Sequence, residues 1–120
     1  MEEPERPLRR KDRKRARRRA RRLLVANLNP EQRRELKRKG HFHVAGSKGN
    51  IYRIASSLPF NVRLAGEARR SRIFFCLEAE DPDLPMEDVM LAQKLLLETD
   101  EGEFLRLANM AYLPRAWWPG

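Results

Sequence analysis

Arg6 to Arg22, reading RPLRRKDRKRARRRARR, holds 12 Lys or Arg and one acid, Asp12, a net charge of +11 in 17 residues. Charge at that density cannot enter a core, and its self-repulsion keeps it in water until a polyanion neutralises it. The stretch also divides the chain. Residues 1–40 carry 17 basic and 6 acidic groups, and residues 41–120 carry 9 and 11, so a basic arm precedes a slightly acidic body. About 80 residues are left to bury a core, enough for one small domain.

The remaining totals narrow the class. The single cysteine, Cys76, has no internal partner, which fits a reducing compartment. The N-terminus lacks the apolar segment of a secretory signal, and no run approaches the ~18–20 apolar residues of a membrane span. A cytoplasmic protein with no membrane partner is expected. Arg makes up 20 of the 26 basic residues, a composition suited to forked phosphate binding.

Met1 to Pro7 is acidic, proline-bearing and expected to be disordered. From Leu8 the arm has good helix formers and no Gly or Pro before Pro30, with Ala16, Ala20, Leu23 and Leu24 at helical spacing. Like charges at i and i+4 would weaken that helix alone in water. Leu23 to Asn27 is apolar enough to anchor it on the domain. Asn29-Pro30-Glu31-Gln32 is a helix start with cap, N1 proline and capping-box partner, and Gly40 suits its left-handed end.

The period then switches to alternation. His41 to Val44 points Phe42 and Val44 one way and the histidines the other. Ser47 to Asn50 reads as a turn, Ile51 to Ala55 as the return strand, Phe60 to Leu64 as a third strand and Arg72 to Glu78 as a fourth. Asp81 to Pro85 breaks the sheet. Two helices are expected after it, Met86 to Glu98 and about Glu101 to Ala111, the second restarted by Asp100 with Glu103. The fold class read from this order is α+β: a four-stranded antiparallel meander covered by two C-terminal helices, with an N-terminal basic helical arm. The domain organisation is an arm over 1–28, a domain over 29–113 and an aromatic tail over 114–120. Trp117 and Trp118 in that tail either fold back or offer an adhesive tip to a partner.

PEQRREL, GHFHVAGSKGNIYRI, FNVRL, FFCLEAE and LPMEDVMLAQKLLLETDEGEFLRLAN, between Pro30 and Asn109, follow one another in an order that resembles small bacterial and phage domains with a β-meander followed by two helices. Met90 to Glu101 carries most of the likeness. It implies that fold order and no activity. Arg13 to Arg22 is similar in type to arginine-rich helical RNA-binding peptides and ribosomal-protein extensions.

Guanidinium planes fork onto phosphates and stack on bases, and arginine-rich segments often fold on RNA. The expected nucleic-acid contacts are Arg9, Arg10, Arg13, Arg15, Arg17, Arg18, Arg19, Arg21 and Arg22, extended by Arg33, Arg34, Lys37 and Arg38. A second set, Arg53, Asn61, Arg63 and Phe74 with His41 and His43, would form a platform on the open sheet face. RNA is slightly preferred over DNA. The competing partner is an acidic protein surface. Ten acids between Glu78 and Glu103 against Lys94 alone are either helix-dipole partners or a receptor for an arm. His41, His43, Cys76 and Glu78 would share an outer face if strands one and four were neighbours. No C-x-x-C or H-x-x-x-H spacing supports zinc there, so neither metal nor cofactor is expected. No phosphate loop, nucleophile elbow or acid–base constellation points to an enzyme.

Overall fold

The meander forms, with a fifth strand added. The computed structural model describes residues 9–56, 60–66, 73–77 and 83–112. In chain order its elements are α1 (Arg10–Ala26), α2 (Pro30–Lys39), β1 (His41–Ala45), β2 (Ile51–Ala55), β3 (Val62–Leu64), β4 (Ile73–Cys76), α3 (Met86–Leu107) and β5 (Asn109–Tyr112). The strands lie in the order β1-β2-β3-β4-β5, every pair antiparallel. The expectations for Met1 to Pro7, for Glu78 and for the tryptophans fall outside the described residues.

The alternation seen in the sequence becomes the two faces of the sheet. Phe42, Val44, Tyr52, Ile54, Val62 and Phe75 point into the core. Leu24 of α1, Leu28, Leu36 of α2, and Met90, Leu91, Leu97 and Phe104 of α3 meet them there. All three helices therefore contribute side chains to the core, with α1 packed on α3, α2 along β1, and α3 against β1 and β2. The core reaches back to Leu24 and Leu28, both near zero exposure.

Helix α2 starts as its sequence indicates. Asn29 Oδ1 accepts from the Gln32 amide at 2.8 Å, and Gln32 Oε1 accepts from the Asn29 amide at 3.0 Å. The Gln32 side-chain amide also donates to the His43 carbonyl at 2.8 Å, tying the cap to β1. Gly40 ends the helix at φ 74°, a conformation that favours glycine, and the chain turns straight into β1. Asn29→Ala is expected to cost about 1 kcal/mol in chemical denaturation, through loss of the cap alone.

The C-terminal part follows the sequence reading at its break and departs from it at its end. The two expected helices run as one helical element, broken at Asp100 (φ −153°, ψ 77°). Ser47 stands in the break. Its amide donates to the Leu97 carbonyl at 2.8 Å, and its Oγ accepts from the Glu101 amide at 2.8 Å. Those are the acceptor and donor that an unbroken helix would have joined, so the β1–β2 turn is inserted into the helical ladder. Asp100 Oδ1 then accepts from the Glu103 amide at 3.1 Å and caps the restart.

The second helical stretch ends at Leu107 and not at Ala111. Ala108 is extended, and Asn109 to Tyr112 pair with β4, Cys76 opposite Asn109 and Ile73 opposite Tyr112. An open strand edge offers a row of unmet backbone bonds, and pairing with it outweighs the helical spacing of Phe104, Leu107, Ala108 and Ala111. Helix periodicity is a weak prior once such an edge is within reach.

Candidate nucleic-acid interface

The arm is a formed helix lying against the domain. Ala20 and Leu24 are buried and Ala16 is half-buried, one small-residue line down α1. Leu23, expected in the same line, is 52% exposed, because one residue of rotation carries it off the docked face. The C-terminal end of α1 is tied to α2 by Arg33, whose Nε donates to the Val25 carbonyl at 2.9 Å.

Docking sorts the arginines into two groups. Arg13, Arg17 and Arg21 recur every four residues beside the docked line. They border a groove whose other wall is Asp83, Leu84, Pro85, Met86, Glu87 and Met90 at the start of α3. Arg13 pairs with Asp83 at 4.0 Å, an exposed contact of little energetic weight. Arg15, Arg18, Arg19 and Arg22 cluster on another side of the helix. At 100° per residue, that cluster and Lys11 stand opposite Ala20 and Leu24. All five side chains are exposed, and none pairs with an acid among the described residues. Arg9 and Arg10, at the start of α1, are exposed as well, as are Arg33, Arg34, Lys37 and Arg38 of α2.

The sheet-face set does not assemble as expected. His43, Arg53, Arg63 and Phe74 do stand in one row across β1 to β4, each opposite the next. Phe74, however, is only 5% exposed, so its ring is not open to a base. Asn61 leaves the set altogether. It is buried and exchanges two hydrogen bonds with Gln93 of α3, at 2.7 and 2.9 Å, because a buried amide must find donors and acceptors to match its own. Phe60 beside it is held at φ 55°, a backbone conformation uncommon for a non-glycine residue, as the loop turns Asn61 inward. Burial, and then the charge of neighbouring Arg63, holds the Arg53 guanidinium below its ordinary pKa, and burial does the same to Arg63. This row is half-enclosed and basic, without a stacking surface.

The expected neighbourhood of His41 and His43 with Cys76 is also corrected. Two strands separate β1 from β4, so the quartet does not form. Instead Glu35 of α2 folds over the histidines. Its Oε2 lies 2.7 Å from His43 Nδ1 and 4.0 Å from His41 Nε2, and its Oε1 accepts from the His43 amide at 3.2 Å. Burial raises the Glu35 pKa, but the hydrogen bonds and charge of His43 outweigh it and hold the group below the ordinary glutamate value. Burial lowers His41, helped by the charges of Arg53 and His43. The spacing H-x-H, which puts both rings on one strand face, was readable in the sequence. Glu35 was not, since only the sharp turn at Gly40 brings α2 back over β1.

Glu101 is the other side chain that the sequence did not single out. It is fully buried, with Oε1 accepting from the Lys48 amide at 2.8 Å and Oε2 accepting from Asn50 Nδ2 at 2.7 Å and Tyr52 Oη at 2.6 Å. Burial raises its pKa, and these donors together with the Lys48 charge bring it below the ordinary value. Its surroundings are those of a structural anchor, since these donors occupy both oxygens.

No helix among the described residues is long and apolar enough to cross a membrane. No protein family, curated protein or solved structure matches the chain.

Proposed function

We propose that the protein is a non-enzymatic nucleic-acid-binding accessory protein that grips phosphates with the basic helix α1, with RNA slightly preferred over DNA. One observation carries this reading: Lys11, Arg15, Arg18, Arg19 and Arg22 stand together on the side of α1 opposite its docked line, without a carboxylate partner among the described residues. Arginine forks in that arrangement match a run of backbone phosphates, and the basic side chains of α2 widen the same field. The groove along Arg13, Arg17 and Arg21 supports a second reading, a protein-interaction module whose arm binds an acidic protein surface. Arg13 already accepts Asp83 as a partner there.

Fluorescence anisotropy of the full chain with a labelled RNA hairpin and a labelled DNA duplex, across a salt series, tests the proposal. If about six to eight phosphates are neutralised, log affinity should fall against log salt with a slope of roughly −4 to −7. No binding of either nucleic acid at near-physiological salt would overturn the proposal in favour of the protein partner.

A further inference from the structure

We infer that Glu35, His41 and His43 form a binding site for a divalent transition-metal ion of the zinc type. One donor atom from each of Glu35, His41 and His43 lies within 4.8 Å of the other two. Ligands about 2.0–2.2 Å from zinc in a tetrahedral site are about 3.3–3.5 Å apart. Measured from Glu35 Oε2, His43 Nδ1 stands at 2.7 Å and His41 Nε2 at 4.0 Å. An ion between them therefore needs one distance to open and the other to close by about half an ångström or slightly more. Small side-chain rotations supply that without moving the backbone.

The donor atoms are held by two regular elements. The histidines sit two apart on β1 and so share a face, and their rings meet edge-on with centroids 5.6 Å apart. Glu35 comes from α2, and the hydrogen bond from the His43 amide to its Oε1 leaves Oε2 to face the two rings. Gln32 fixes the same stretch of β1 through the His43 carbonyl. Outer-shell bonds of this kind orient first ligands.

Two imidazoles and one carboxylate suit zinc and its transition-metal neighbours, whereas calcium and magnesium take oxygen ligands. The side chains of His41, His43 and Glu35 are 19%, 39% and 22% exposed, so an ion has a route in and room for water as a further ligand. Lys39 and Arg53 act on His41 with like charge and reduce the affinity for any cation, while the Glu35 carboxylate offsets part of that. A bound ion would clamp α2, with its exposed basic side chains, onto the sheet.

The test titrates Zn²⁺ alone into the chelator-stripped full chain by calorimetry. The same titration is followed by NMR of the imidazole rings, of which the chain has only these two. One saturable equivalent is expected, with both rings shifted and the thermal midpoint raised. His41→Gln keeps the Glu35–His43 hydrogen bond and hence the tie between α2 and β1, and it should abolish saturable uptake. Cys76→Ser should leave the stoichiometry at one. Absence of saturable uptake by the wild-type chain, or unchanged uptake by His41→Gln, would overturn the inference.

Discussion

Glu101→Ala is expected to lower the unfolding free energy by about 3–5 kcal/mol, a large part of the ~5–15 kcal/mol typical of a domain this size. The substitution strips an acceptor from the Lys48 amide, the Asn50 side chain and the Tyr52 hydroxyl at once, and Tyr52 is itself in the core. Unmet donors at a buried position cost far more than the bonds contribute net when made. Glu101→Gln keeps the shape but turns one oxygen into a donor. Whichever oxygen is replaced faces an existing donor, so about 2–3 kcal/mol should be lost.

The same carboxylate gives the fold an acid limit. Its folded pKa lies below the ordinary glutamate value near 4.5, so the unfolded chain binds the proton first as pH falls. Its stabilisation is therefore fully present above about pH 4.5 and is lost as pH drops through the lower, folded value. Urea denaturation at stepped pH should show this loss in the wild-type chain and a flatter acid limb in Glu101→Gln. Gly46→Ala reaches the same point from the other side, since a Cβ there would stand 2.1 Å from Glu101 Oε1. An acid limb identical in wild type and Glu101→Gln would show that Glu101 does not anchor the turn through its charge.

Neutralising the free face of α1 should have the largest effect on binding. The quadruple variant Arg15→Gln, Arg18→Gln, Arg19→Gln, Arg22→Gln removes four of the proposed phosphate contacts and leaves Ala20 and Leu24 docked. The salt slope should become shallower by about 3–4, and affinity at low salt should fall by about 10²- to 10³-fold. Glutamine keeps a high helix propensity, so the circular dichroism should barely change. The triple variant Arg13→Gln, Arg17→Gln, Arg21→Gln faces the acidic start of α3 and should lose much less. Equal losses from the two variants would mean that position on the helix is irrelevant and only total charge counts.

Much of this architecture was legible in the sequence where local chemistry and the final fold agree. Asn29 to Gln32 carries its cap within four residues, and Phe42/Val44 and Tyr52/Ile54 carry their sheet face in their alternation. Legibility stopped where a partner came from far along the chain. Ser47 entering the α3 ladder, Asn61 meeting Gln93, and Asn109 to Tyr112 joining β4 are decided by tertiary proximity. The charged arm was plain to read, but its division into a docked and a free side depended on how Leu24 is seated. Glu35 reached the histidines only through the turn at Gly40.

The seating of Leu24 and Leu28 among strand residues also bears on how α1 would meet the polyanion proposed for it. A floppy tail surrenders its chain freedom at the moment of capture, which taxes affinity. Here α1 is a formed helix seated through Ala20 and Leu24, so its guanidinium groups would approach as a ruler with a rise of about 1.5 Å per residue. A surface with phosphates at matching intervals fits such a ruler as it stands. One with other spacing must deform to suit it.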